Sequence, residues 1–329
     1  MIDKESIDKL AGNIEQHAFR RGYVSAFTLA AYPVEQHDEL TLHITRECDG
    51  LVYGNAEVAG REAFKACVTA LDGRVDYIVY DTALDFDMSE FTRDGRKRPG
   101  KSVVLPYSDK RVWVESVRYT LLALIPDLPR KKVVVIGRTD APNTLAVLLT
   151  AELAGYCGSV RHYDADAEYG RDAAPKKVLE EADVVIGAAI YTRVIAREQL
   201  EICRRKPILM DAGIGTLTPD AAEYARDKGL RMIRVDNRAA MAGMLVSLIQ
   251  SHDLVTRVMG SGQIDGVRVV AGGIIGAPGT IVVDSIDQPS IAIGFADGTG
   301  RIRYQPANAE EAERMKRVTR ALGGEGSHG

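Results

Sequence analysis

The stretch Lys131–Asp164 constrains this chain more than any other, because it contains an unbroken β-branched run, Val133-Val134-Val135-Ile136, closed by Gly137. A run with no polar alternation reads as a strand covered on both faces, as in a parallel sheet. Past a polar loop, Leu145, Leu148, Leu149, Ala151 and Leu153 fall at helical spacing, and Gly155 with Gly158 ends that helix before a second run, Ser159–Tyr163. The stretch is therefore a βαβ unit whose first turn lies at the carboxyl end of a buried strand. Such a turn is where doubly wound folds hold a dinucleotide pyrophosphate, since helix N-terminal amides and the helix dipole both favour an anion there.

Asp164 fits the same picture: it follows the second strand, about 27 positions after Gly137, near the ~20 residues at which an acidic group meets the adenosine ribose. The loop Gly137-Arg138-Thr139-Asp140-Ala141-Pro142-Asn143 lacks the second and third glycines of G-x-G-x-x-G, so the phosphates would sit differently. Gly137, Arg138, Thr139 and Asn143 are the expected phosphate contacts, with Arg138 able to grip a phosphate bidentately. Asp164 favours NAD because a carboxylate repels a 2′-phosphate, whereas Arg138, His162 and Arg171 blur the choice, and NADP stays open. A Rossmann-like unit without nucleotide is the alternative.

Downstream, Asp183–Ala189 reads as a third buried strand, with Ala188 and Ala189 small enough at its end for a flat ligand to approach. Pro207–Met210 is a fourth, leaving through Asp211-Ala212-Gly213-Ile214-Gly215, in which Asp211 and Gly213 are further cofactor candidates. A helix at Pro219–Lys228 and a strand at Arg231–Val235 bring the parallel strands to about five.

Before this unit lie an amphipathic helix (Ile2, Ile7, Leu10, Ile14) ending at Arg20-Arg21-Gly22, strand-like runs at Tyr23–Tyr32 and Leu40–Thr45, a helix at Val58–Leu71 and a strand at Tyr77–Tyr80. This pattern predicts an α+β region. Asp81–Gly100 is charged surface or a lid. After the strand Val103–Leu105, the group Tyr107, Ser108, Asp109, Lys110 and Arg111 opens a helix carrying Val112, Val117, Leu121, Leu122 and Ile125, stopped by Pro126 and Pro129. Ser108 or Asp109 is its expected N-cap. After the unit, Arg238–Met259 reads as one long apolar helix packed against Val112–Ile125. Short strands at Val267–Val270, Thr280–Asp284, Ile291–Phe295 and Ile302–Tyr304 predict a small antiparallel sheet, followed by a polar helix at Ala309–Leu322.

The expected class is α/β, a Rossmann-type doubly wound parallel sheet with an N-terminal α+β domain and a small C-terminal antiparallel sheet. The expected divisions are residues 1–129, a substrate domain; 130–236, the dinucleotide domain; 237–264, an interdomain helix; and 265–329, a β extension and tail.

A length of 329 residues suits two domains. A net charge of −4, with no basic run longer than Arg96-Lys97-Arg98, argues against a nucleic-acid partner. The charged N-terminus and the want of a long apolar stretch imply neither signal nor membrane span, so a cytoplasmic protein, and a homo-oligomer, is expected. Cys48, Cys67, Cys157 and Cys203 lack C-x-x-C spacing and read as structural thiols. The histidines, His37 and His43 included, form no ligand set, so no metal is expected.

Three motifs resemble those of the methylene-tetrahydrofolate and methylene-tetrahydromethanopterin dehydrogenases: Gly137-Arg138-Thr139 is similar to that group's G-R-S opening, Ala182-Asp183-Val184-Val185-Ile186 to its A-D-I-V strand, and Met210-Asp211-Ala212-Gly213-Ile214 to its I-D-x-G-I. The resemblance covers roughly residues 107–259. It implies an NAD(P)-dependent dehydrogenase acting on a small heterocyclic or iminium-like substrate, with a C1-carrying pterin foremost, at the junction of two domains. That group places a lysine in Y-x-x-x-K; here Tyr107-Ser108-Asp109-Lys110 is one residue shorter and stands at a helix start. Lys110, Tyr107 and Asp109 are the candidate catalytic residues, as the densest polar group at the junction. An imine or amino-acid dehydrogenase, or a non-enzymatic sensor or binding module, would keep the same fold.

Overall fold

The computed structural model describes residues 4–31, 40–84, 102–138, 141, 144–164 and 173–323. Thr139, Asp140, Pro142, Asn143, His37, Arg171 and most of the charged 81–100 segment lie outside the described residues. The chain divides into two compact units, Met1–Leu245 and Val246–Gly329.

The first unit holds two sheets. In one, strands β7 (Lys132–Gly137), β8 (Ser159–Asp164), β9 (Val184–Gly187), β10 (Ile208–Asp211) and β11 (Met232–Arg234) run parallel in the order β11-β10-β9-β7-β8. Counted within the sheet this is 2-1-3-4-5, a doubly wound order whose direction of winding switches between β7 and β9. Alternate side chains feed two cores: Val133, Val135, Val184, Ile186 and Met210 on one face, Val134, Ile136, Val185 and Leu209 on the other. The continuous apolar runs follow from that double burial.

The other sheet is more parallel than an α+β reading implies. Strands β1 (Val24–Ala31), β4 (Leu51–Val58), β5 (Tyr77–Asp81) and β6 (Val103–Tyr107) are mutually parallel in the order β4-β1-β5-β6. Two short strands, β2 (Leu40–Leu42) and β3 (Arg46–Cys48), pair antiparallel to β4. The expected helix from Val58 begins instead at Arg61, after Gly60 at φ 93°, and Leu51–Val58 is a strand beside the sheet centre. Helices α1 (Lys4–Arg21) and α2 (Arg61–Leu71) cover one face, where Ile7, Ile14, Phe64 and Leu71 pack on Phe27, Leu29, Val52, Ala56 and Ile78. Gly54 belongs to this packing: a Cβ there would come within 2.6 Å of the Phe27 ring and 2.7 Å of Ile14.

Helix α3 (Asp109–Leu124) links the sheets. Its Trp113, Val114, Val117 and Leu121 join the Rossmann core, where it packs on α4 (Leu145–Leu153). Helices α5 (Ala173–Glu180), α6 (Arg197–Ile202) and α7 (Pro219–Asp227) complete the crossovers. The division between units falls inside α8 (Arg238–Asp253), which is shorter than the expected helix to Met259 because a π-helical turn, Leu254–Val258, replaces its last stretch.

The second unit carries strands β12 (Gly260–Ile264), β13 (Val267–Ala271), β14 (Ile281–Val283), β15 (Ala292–Ala296) and β16 (Ile302–Arg303), in that order, with α9 (Ala309–Ala321) packed on β13 and β15 through Val318. The sheet is mixed where an antiparallel one was expected, because β13 and β14 pair in parallel. Parallel neighbours need a crossover, and residues 272–280 provide it, with Gly272, Gly273 and Gly279 all at positive φ.

Candidate functional site

The carboxyl ends of both parallel sheets in the first unit border one cleft of about 190 Å³, lined by His43, Arg46, Asn55 and Glu57 from the N-terminal sheet, Trp113 from α3, and Tyr191, Ile214 and Arg234 to Asn237 from the Rossmann sheet. Asn55 and Glu57 are two apart on β4 and so share a face, opposite the α1 and α2 core. Asn55 is held by its Nδ2, which donates to Thr28 Oγ1 at 2.6 Å. From the facing sheet the Tyr191 hydroxyl donates to Glu57, at 3.3 Å from Oε1 and 3.2 Å from Oε2, and His43 Nε2 stands 3.6 Å from Oε1.

Tyr191 reaches across because its backbone is left-handed, φ 54°, with its N–H donating to the Gly213 carbonyl at 2.6 Å. Ile214, which also lines the cleft, has φ 61°. Non-glycine residues in this region are strained, and such strain concentrates where a side chain must be aimed. Tyr191 and Ile214 are the two such residues described in the first unit, and both face the cleft. The loop that carries Ile214 is tied down by Asp211, whose carboxylate accepts from the backbone of Gly213, Gly215 and Thr216 and from Thr216 Oγ1.

Behind Trp113 lies an acidic group. Asp81, 4% exposed at the end of β5, accepts backbone N–H groups from Ala31, Ala83 and Asp109. It thereby serves the first turn of α3, where the N-cap residue Ser108 makes no side-chain cap. Asp109 in turn accepts from Trp113 Nε1 at 3.0 Å and from the Tyr107 hydroxyl at 3.3 Å. Burial, then the charge of Asp81, pushes the Asp109 carboxyl up to about 7 against the opposing pull of those two donors, with Glu57 adding to the rise. Burial likewise raises the Tyr107 hydroxyl well above its ordinary range. Tyr107 and Asp109 thus hold the indole of Trp113 in place, while Lys110 is half-buried one residue on and is not among the cleft-lining residues.

Of the other sequence candidates, Gly137, Arg138 and Asp164 stand at the β7 and β8 half of the Rossmann edge, whereas Ala188, Ala189, Asp211 and Gly213 stand at the β9 and β10 tips on the cleft side. Gly137 and Asp164 pair in register at the tips of β7 and β8, and His162 Nε2 lies 3.2 Å from the Gly137 carbonyl oxygen. Gly137 is needed for close packing: a Cβ there would fall 2.6 Å from both Ala146 Cβ and the Ala188 carbonyl oxygen. Gly213 is tighter still, 2.2 Å from the Ala189 oxygen. Ala188 and Ala189 are buried at the end of β9, and Arg138 is exposed at the start of the loop. A half-buried carboxylate at a strand tip can accept from ribose hydroxyls, and the small residues at the next tip leave room for a flat group.

Glu57, Arg46, Asn55, Trp113 and Tyr191 are among the cleft residues that reading the sequence missed. Alternation in Leu51–Val58 places Asn55 and Glu57 on one face and was the available signal; nothing in the sequence marks the left-handed turn at Tyr191. Among the described residues no group of three or more His, Cys, Asp or Glu could hold a metal ion, and no helix is long and apolar enough to cross a membrane. The four cysteines are free, and burial pushes the Cys67 thiol up to about 12.

No protein-family model and no curated protein matches the chain. Among solved structures it is similar to a 5,10-methylenetetrahydrofolate dehydrogenase from the silkworm Bombyx mori, at 14% identity over 75% of this chain and 92% of that one, with a TM-score of 0.35. It is also similar to the bifunctional 5,10-methylenetetrahydrofolate dehydrogenase/cyclohydrolase of Thermoplasma acidophilum, at 11% identity over 77% and 99%, TM-score 0.37. A third is an aspartate transcarbamoylase from Trypanosoma cruzi, at 14% identity over 68% and 87%, TM-score 0.30. Dehydrogenases and a transcarbamoylase stand side by side here, and likenesses this distant carry no argument about chemistry.

Proposed function

We propose that this chain is an enzyme, an NAD(P)-dependent oxidoreductase acting on a small heterocyclic or iminium-like substrate, with a C1-carrying pterin the leading class. The observation that carries the reading is the position of the cleft. It lies over the carboxyl ends of β9 to β11, beside the winding switch at β7 and β9 where doubly wound sheets bind dinucleotides. In this reading Gly137, Arg138, Thr139 and Asn143 hold the phosphates, Asp164 the adenosine ribose, and Ala188 and Ala189 the floor, while Asp211 and Gly213 shape the neighbouring loop. The nicotinamide, when bound, supplies the hydride acceptor or donor.

The chain's own residues position and stabilise. Glu57 faces the cleft with Tyr191 fixing its orientation, and a carboxylate there stabilises a cation developing on the substrate or takes a proton from a substrate N–H or O–H. Trp113 offers a flat wall, and Tyr107 with Asp109 are positioning residues for its indole. Lys110 is left adjacent to the site, outside its wall. Homo-oligomerisation belongs to the same reading and is checked by light scattering.

Calorimetric titration with NAD and NADP, followed by an absorbance screen for cofactor reduction with pterins, hydroxy acids and amino acids, tests the proposal. Binding of either dinucleotide with turnover of one substrate class supports it. Binding of neither dinucleotide moves the assignment to a cofactor-free binding module.

A further inference from the structure

Arg46 opens β3, opposite Tyr53 of β4, and its side chain lines the cleft. Its Nε is buried with no hydrogen-bond partner among the described residues, and its guanidinium is in no ion pair among them. Arg46 as a whole is half-buried, but a buried donor such as its Nε is rarely left unmet, because it loses hydration without replacement and each exception calls for an explanation.

The carboxylates nearby do not provide one. Asp236 feels the charge of Arg46, but its oxygens are engaged by Arg238: the backbone N–H donates to Oδ1 at 2.9 Å and the guanidinium to Oδ2. Burial pushes the Asp236 carboxyl up, and those Arg238 bonds outweigh it and hold it below the usual range. Glu57 is taken by Tyr191. Arg234, exposed at the cleft, pairs with no carboxylate among the described residues, so the positive charge left unanswered points to something that enters from outside.

We infer that the cleft is built for a substrate carrying a carboxylate or phosphate group, which Arg46 binds, with the planar part of the molecule against Trp113 and Tyr191. The inference rests on reading the cleft as the substrate site, and not on the cofactor. A guanidinium fork matches either anion bidentately, which a lysine cannot do. Within an otherwise polar wall, Trp113, Ile214 and Val235 are the apolar members, and they suit a ring. The cleft volume of about 190 Å³ falls below the ~300–1,000 Å³ of drug-sized sites, so it takes one compact flat ring system with an anionic end.

Trp113 is the single tryptophan of the chain and stands in the wall, so its fluorescence reports occupancy directly. The test titrates the full chain, without dinucleotide, with benzoate, its uncharged counterpart benzamide, and inorganic phosphate. A saturable change with benzoate or phosphate is expected, with benzamide at least about tenfold weaker; which anion binds more tightly assigns the source of the charge. Arg46→Gln should weaken the anion at least about tenfold while leaving benzamide unchanged, Arg46→Lys should fall between, and Arg197→Gln, which removes an exposed pair with Glu201, should match the parent. Equal affinity for benzoate and benzamide overturns the inference. So does no response to either anion, or an Arg46→Gln protein of unaltered circular dichroism and melting that binds the anion as the parent does. Because no dinucleotide enters the measurement, its failure and the failure of the oxidoreductase reading are told apart.

Discussion

The two parallel sheets of the first unit bury their strands differently, and their functional residues are placed differently as a result. The Rossmann strands alternate between two apolar cores, so the residues that sheet gives the cleft come from the strand tips and the loops beyond them: Tyr191, Ile214, and the run from Arg234 to Asn237. The N-terminal sheet packs one face on α1 and α2, and the other carries Thr28, Tyr53, Asn55 and Glu57, so there the strand itself delivers polar groups to the cleft. A parallel sheet with a polar face can contribute chemistry from within; one covered on both faces contributes only from its edge.

The largest expected effect lies where the N-terminal sheet meets α3. Asp109 titrates near 7 in the folded protein, far above an unfolded aspartate, so the folded state holds a proton that the unfolded state has released. Stability tied to this group is full below about pH 4 and falls as pH rises towards 7, by roughly 4 kcal/mol in all. Asp109→Asn removes the ionisation, and urea unfolding at pH 5 and pH 8 should show the parent losing far more stability than the variant. Parallel losses would detach Asp109 from the Asp81 pocket.

Next in size is Glu57→Gln, which takes the carboxylate from the polar face and should lower kcat/KM by about a hundredfold, or ~2.7 kcal/mol, in the turnover assay. An unchanged value would return the chemistry to the Rossmann edge. Two glycines on that edge separate packing from conformation. Gly213→Ala drives a Cβ to 2.2 Å from the Ala189 carbonyl oxygen and should cost about 2–3 kcal/mol by urea unfolding. Gly215→Ala meets nothing within 4 Å but keeps φ 82°, and should cost about 1 kcal/mol. Similar costs for both would mean that the tips of β9 and β10 are not closed against each other. The smallest effect is that of Tyr191→Phe, which deletes one hydroxyl and should cost about 1 kcal/mol in stability, read the same way.

How much the sequence disclosed follows from the same contrast. Val133–Ile136 and Asp183–Ala189 are legible because double burial leaves an unbroken apolar run, and the Gly137 and Asp164 pairing follows from the βαβ unit. Leu51–Val58 went unassigned because Gly54-Asn55 reads as a turn. Its glycine is there to admit Phe27 and Ile14, a tertiary fact. The acidic start of α3 was visible as a cap signal, which located Tyr107 and Asp109. That Asp109 faces Trp113 and Asp81, and that Lys110 stays off the wall, depends on β5 lying beside β6. Tyr191 was invisible because its placement rests on a left-handed backbone set by the Gly213 carbonyl.

In the proposed reading, the nicotinamide of the bound dinucleotide meets the substrate at the cleft, beside Trp113. Reduced nicotinamide absorbs where tryptophan emits, so excitation of the sole tryptophan during a titration with NADH and NADPH measures whether the ring arrives there. Saturable loss of Trp113 emission with matching sensitised emission from the bound nicotinamide is expected for at least one of the two. Calorimetrically detected binding without energy transfer, or no binding of either, would contradict it.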